Sequence, residues 1–261
     1  MALDDKTIVL ITGANSGIGF SLATQLLASP TYHILLGSRS PTKGTTALTS
    51  LLALNLPGTV SYLPLDVTSP SSILSAAETV RNEYGHLDAL VNNAGIDGER
   101  MASSDGGGGA SSLHERMRET FATNTIGPAL VVEAFIGLMS EKEGRVARIV
   151  NVTSGAGSIR ERYTPEAPKA HQEMGFIPYR TSKAALNMLT VCQAYEYGPL
   201  GIKVFCFCPG FTASGLGVLN TVENGAQPTS KGAEPMVGIL EGERDEQHGG
   251  FLNGMGGLWD W

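Results

Sequence analysis

"KTIVLITGANSGIG", residues 6–19, is the stretch on which the fold turns. Residues 6–12 form a nearly unbroken aliphatic and β-branched run, the pattern of a strand covered on both faces. A Gly-rich turn follows, and a helical pattern runs from Ile18 to Leu27. Gly13 permits a tight turn, Gly17 lets backbone approach a pyrophosphate, and Gly19 lets helix and strand pack closely. A helix that starts here turns free N–H groups toward an anion, with Asn15, Ser16 and Ile18 around the same turn. Three glycines alone say little. Between a first strand and a first helix they predict a dinucleotide-binding βα unit.

The same alternation continues outward. Strands are expected at 32–38, 59–66, 87–93, 147–153 and 202–210, with a last one inside "HGGFLNGMGGLWDW" (248–261). Helices are expected at 43–54, at 71–84 with Pro70 in its first turn, at 113–139, and from the stretch around Tyr179 to Tyr197. Apolar strands separated by helices imply a parallel sheet, and right-handed crossovers make it doubly wound: α/β, about seven strands, helices on both faces. No linker or internal repeat interrupts residues 1–261, so one domain is expected. Two stretches depart from the pattern. Residues 98–112 are Gly/Ser-rich and read as a surface loop; residues 159–178 are polar and Pro-punctuated, and lie directly before Tyr179.

Composition removes several function classes. A net charge of −7 leaves no basic cluster for a nucleic-acid backbone, so no such partner is expected. No run approaches the roughly 20 apolar residues of a membrane span. The N-terminal "MALDDKTIVLIT" carries acids where a secretory signal has its positive region. Cys192, Cys206 and Cys208 are odd in number and have no metal-like spacing with the His residues; they read as buried thiols of a reducing compartment, with no metal site. The cytoplasm is the expected address.

Four places carry candidate chemistry. At the end of the second strand an acid would bind a ribose 2′-hydroxyl; "LGSRS" instead offers Ser38 and Arg39, and a guanidinium grips a 2′-phosphate, which favours NADP(H) over NAD. "NVTSGAG" (151–157) puts the Ser154 hydroxyl at the carboxyl edge of the sheet, where open α/β sheets bind ligands. "NNAG" (92–95) follows the fourth strand and by itself reads as a turn. In "GFIPYRTSKAALNML" (175–189), Tyr179 and Lys183 lie one helical turn apart: either the pair decorates the surface, or the ammonium lowers the phenol's pKa and makes it a proton donor.

In this order the motifs resemble the short-chain dehydrogenase/reductase family, over nearly the whole chain from Thr7 to about Thr212. "TGANSGIG" is similar to the family's TGxxxGxG cofactor loop. Asp66 and Val67 match the pair that holds adenine, and Asn93, Ala94 and Gly95 match the NNAG segment on the nicotinamide side. Asn124, in "FATNTIGP", matches a helix Asn that holds a relay water. Ser154, Tyr179 and Lys183 match the catalytic Ser and YxxxK, completing a tetrad. "PGFTAS" (209–214) resembles PGxxxT, with Pro209, Gly210 and Thr212 at the cofactor and Ser214 where Thr is usual.

The resemblance implies a Rossmann-type reductase of a ketone or aldehyde, or the reverse alcohol oxidation, similar to fungal NADPH-dependent carbonyl reductases. Tyr179 would be the proton donor, Lys183 its activator and ribose anchor, and Ser154 the group positioning the carbonyl. The substrate is expected to be a medium-sized, largely apolar carbonyl compound. The interval from Ser154 to Tyr179 is about a dozen residues longer than usual in the family. This 159–178 insertion is placed to wall the substrate site, with Arg160, Arg162, Glu166, Lys169 and His171 read as a solvated face. Residues 213–240 match a substrate lid. Trp259 and Trp261 read as packing residues. Homodimers or homotetramers built through the helices of Asn124 and Tyr179 are implied, unless the insertion blocks the contact. Two other readings stay open: a non-redox isomerisation or cyclisation on the same fold, and a non-catalytic NADP-sensing regulator, although the latter usually lacks the Tyr or Lys of the pair.

Overall fold

In the computed structural model, which describes residues 3–98, 112–139, 145–164, 175–217 and 219–261, the opening run becomes β1 (Thr7–Thr12). Val9, Leu10 and Ile11 expose nothing, because layers of helix lie against both sides of the strand. Six more strands join it: β2 (Tyr32–Ser38), β3 (Thr59–Pro64), β4 (Ala89–Asn92), β5 (Arg148–Val152), β6 (Lys203–Cys208) and β7 (Phe251–Asn253). All pair in parallel, in the order β3-β2-β1-β4-β5-β6-β7. Chain order reverses between β1 and β4, which opens a crevice beyond their carboxyl ends. This is the doubly wound, Rossmann-type sheet that the strand pattern predicts.

One face of the sheet is covered by α1 (Gly17–Leu26), α2 (Pro41–Ala53) and α8 (Thr229–Glu241), whose Leu22, Leu26, Leu51, Met236 and Ile239 pack on β1, β2, β5 and β6. The other face carries α3 (Pro70–Glu83), α5 (Gly127–Phe135) and α7 (Ile177–Tyr197). Between them α4 (Leu113–Phe121) precedes α5, and α6 (Ile159–Tyr163) follows β5. The helix starts obey capping chemistry. Ser40 and Ser69 accept from backbone N–H groups ahead of Pro41 and Pro70, and Ser112 forms a reciprocal capping box with Glu115.

Four expectations change. The helix over 113–139 is broken by a π-turn, Ala122–Ile126, between α4 and α5. By length and composition the stretch Leu113–Leu138, which contains an 18-residue window of mean hydropathy 1.4, passes for a membrane span; its Val131, Val132 and Phe135 are instead buried on the sheet, as in a core helix. Residues 229–241, expected within a lid, form α8, because Ala233, Met236, Ile239 and Leu240 recur at helical spacing and pack on α1 and the strands. Cys192 is exposed on α7, while Cys206 and Cys208 are buried as read. Most of the Gly/Ser-rich stretch 98–112, together with Glu166, Lys169 and His171, lies outside the described residues.

Candidate active site

The glycine turn is held by its neighbours as much as by its own sequence. Thr12 Oγ1 accepts from the backbone N–H groups of Asn93 and Ala94, both at 3.0 Å. Asn93 Nδ2 donates to Thr12 O at 2.8 Å. Gly13 has φ +64, and a Cβ there would come within 2.9 Å of Ala94 Cα. On Gly19 a Cβ would meet the Asn93 amide. The first βα turn and the NNAG segment are therefore locked together, leaving the N-terminus of α1 open beside them.

The cleft above this turn has a volume of about 900 Å³. Every cofactor candidate from the sequence reaches it except Gly19, which packs beneath. Gly13, Asn15, Ser16, Gly17 and Ile18 line one end, with Ser38, Arg39, Asp66 and Val67; Asn93, Ala94, Gly95, Pro209, Gly210 and Thr212 line the middle. Asp66 is oriented by accepting from Thr68 N (2.9 Å) and Thr68 Oγ1 (2.7 Å). Thr212 is buried and donates to Pro209 O at 3.2 Å. The cleft also holds Lys43, which the sequence reading passed over. It sits in the first turn of α2, four residues after Arg39, so the two cations share that end of the cleft with no acid between them.

Across the cleft, Ser154 and Tyr179 come together although they are 25 positions apart: both line it, and the Ser154 hydroxyl acts on the phenol. Ser154 sits where β5 ends, extended at φ −155, and Tyr179 in the first turn of α7. Burial pushes the Tyr179 phenol well above its ordinary value, with Cys208 and Asp97 adding to the rise and the Ser154 hydroxyl opposing it. The phenol is thus a held acid. Lys183 lies one turn on, only 4% exposed, with its Nζ 5.8 Å from the Tyr179 ring centroid and donating to Val152 O at 2.9 Å. Burial pulls its ammonium down to about 8.

Asn124 occupies the π-turn, a helix irregularity frequent at functional sites. Its amide receives Ile96 N at 2.9 Å and donates to Ile96 O (2.8 Å) and Ser182 Oγ (3.0 Å). It touches neither Tyr179 nor Lys183 through these bonds. It ties the end of β4 to α7, and a Cβ on Gly95 would lie 3.4 Å from its Oδ1 and 3.6 Å from Lys183 Nζ. Asn124 and Lys183 therefore meet at Gly95, and Lys183 reaches Val152 O at the end of the strand that leads to Ser154.

Below them runs a buried polar spine that sequence reasoning missed. Asn92 Nδ2 donates to Asn151 Oδ1 (2.8 Å), and Asn151 Nδ2 donates to Gln193 Oε1 (2.8 Å) and Thr190 Oγ1 (3.0 Å). Thr153 Oγ1 donates to Asn187 Oδ1 at 2.6 Å. These bonds fix the register of α7 on β4 and β5, and hence where Tyr179 and Lys183 point. The signal in the sequence was the polar row Lys183, Asn187, Thr190 on the inward face of a core helix.

The family profile described as short chain dehydrogenase matches residues 7–220. A short-chain dehydrogenase of Penicillium roqueforti, anuI, is 35% identical over 254 residues, covering 97% of this chain and 96% of that protein. The (+)-neomenthol dehydrogenase of Arabidopsis thaliana is 31% identical, over 87% of this chain and 92% of that protein. The crystal structure of NADPH-bound carbonyl reductase from chicken fatty liver superposes with a TM-score of 0.78 at 31% identity, covering 98% of this chain and 99% of that one.

Proposed function

Because the chain belongs to the short-chain dehydrogenase family, whose members are oxidoreductases using nicotinamide cofactors, we propose that it reduces a ketone or aldehyde to an alcohol with NADPH. One observation carries the reading: a buried, protonated phenol on Tyr179, beside Ser154 and backed by Lys183, faces a cleft large enough for a dinucleotide and a small molecule.

The residues fit the cofactor. The positive-φ turn at Gly13 and Gly17 brings backbone N–H groups to the cleft where a pyrophosphate would lie. Asp66 and Val67 would hold the adenine, Arg39 and Lys43 a 2′-phosphate, and Asn93, Ala94, Gly95, Pro209, Gly210 and Thr212 the nicotinamide side. When bound, a reduced nicotinamide supplies the hydride. The chain supplies the rest. Ser154 Oγ orients the carbonyl oxygen, and Tyr179 Oη passes its proton to that oxygen as negative charge develops. The Lys183 ammonium stabilises the tyrosinate left behind, which regains a proton from solvent. Asn124 holds the end of β4 and α7 in place around that exchange.

Self-association belongs to the same proposal. On α7, Met188 and Tyr195 are 65% and 88% exposed, with Val191 between them, a row suited to a homodimer or homotetramer.

Purified protein, NADPH or NADH and a panel of ketones test the function. Loss of NADPH absorbance with one alcohol formed per dinucleotide, and much weaker use of NADH, is expected. Tight NADPH binding without oxidation across the panel would overturn it.

A further inference from the structure

The residues after β7 return to the cleft. Leu258 bridges back to Leu252 in antiparallel fashion, and Trp259 N donates to Phe251 O at 2.7 Å. Beyond it Ser158 Oγ donates to Asp260 O at 2.7 Å, Arg160 N donates to Trp261 O at 3.0 Å, and the Arg160 guanidinium meets the Asp260 carboxylate at 3.0 Å. Residues 258–261 are thus strapped over the loop that carries Ser154.

Trp259 is the part of the strap that faces the site. A Cβ on Gly155, the residue after Ser154, would lie 3.1 to 3.4 Å from three carbons of the indole, so the ring rests on that glycine. Phe251 holds the strap's rings from behind, 6.3 Å from Trp259 and stacked on Trp261 at 5.2 Å. The buried indole N–H finds no hydrogen-bond acceptor among the described residues. The ring packs against Cys206, Cys208 and Phe251, and the Cys208 Sγ accepts from Gly155 N at 3.1 Å. The indole lines the same cleft as Ser154 and Tyr179, and so do Met255, 89% exposed, and Phe211, 46% exposed. Large apolar side chains left open on a cleft wall gain when an apolar partner covers them.

We infer that Trp259 is a specificity-determining residue. With Phe211 and Met255 it forms a flat apolar wall beside Ser154 that selects carbonyl compounds bearing a planar ring next to the reacting carbon. This rests on the carbonyl-reductase reading.

The chain's two tryptophans both lie in the strap, which gives a readout that does not need turnover. In the Trp261→Phe protein saturated with NADP+, acetophenone is expected to quench Trp259 emission saturably, and cyclohexyl methyl ketone, of the same skeleton, is not. In turnover with NADPH, Trp259→Ala is expected to lower kcat/KM for acetophenone about tenfold relative to cyclohexyl methyl ketone, mostly through KM, as lost aromatic stacking requires. Trp259→Phe keeps most of the preference and guards against a strap that merely comes loose; NADPH affinity stays unchanged in both. Saturable quenching without NADPH oxidation would sink the reductase reading and leave the ring-binding wall standing. Absence of saturable quenching, or an equal loss for both ketones in both variants, would overturn the wall.

Discussion

Lys183→Met separates what Lys183 does for the reaction from what it does to the fold. The ammonium is 4% exposed, has one backbone partner, Val152 O, and pairs with no carboxylate among the described residues. Burial lowers it from 10.5 to about 8. At pH 7 it is charged in both the folded and the unfolded chain, and keeping it charged in the fold costs about 3 kcal/mol. The sign follows from proton counts. Between pH 8 and 10.5 the unfolded chain holds more protons at this position than the folded one, so the penalty fades as pH rises through that window. Met fills the stem's volume, removes the charge, and forfeits the Val152 bond at a cost of about 1 kcal/mol. The variant is therefore expected to be more stable than the parent by about 2 kcal/mol at pH 7 and slightly less stable above pH 10.5, while losing about a hundredfold or more in turnover. Lys183 also holds the Cys206 and Cys208 thiols lower in the parent, so the difference between the proteins reads Lys183 together with that coupling. Urea unfolding at the two pH values measures it. A variant less stable than the parent by the same amount at both would refute the reasoning.

Other expectations follow from the same geometry. Reductive kcat/KM should fall as pH rises above about 8, because the cation that stabilises the tyrosinate is then lost; a flat pH profile to 10 would contradict that role. Arg39→Asp combined with Lys43→Glu should cost about a hundredfold in NADPH affinity and shift preference to NADH, measured by calorimetric titration, since each cation makes a charge-assisted phosphate contact. Gly13→Ala, placed at φ +64 against Ala94, should destabilise by about 2 kcal/mol and abolish dinucleotide binding, read from thermal melts with and without NADPH.

Much of this was legible in the sequence because the relevant information is local. β2 matches its predicted span, Tyr32–Ser38, residue for residue, since an unbroken apolar run ends at a polar loop. Tyr179 and Lys183 needed only helical spacing. "FATNTIGP" signals a break only at its end, Gly127-Pro128; the π-turn at Asn124 was not legible because it is held by bonds to Ile96 and Ser182, partners 28 and 58 positions away. Lys43 was missed because it enters the cleft only once Ser40 and Pro41 start α2 where they do. The short α6 had a readable signal, Ser158 three before Glu161, submerged in a segment read as one polar insertion. Position in the chain alone assigns residues 229–240 to a lid, whereas their apolar spacing describes a packed helix.

One experiment bears on the centre of the account: Tyr179→Phe, which keeps the ring and removes the hydroxyl. The variant should fold, bind NADPH as the parent does, and consume it in the presence of ketone at least about a thousandfold more slowly, given what positioned proton transfer contributes. Turnover within a few-fold of the parent would mean that the proton comes from elsewhere.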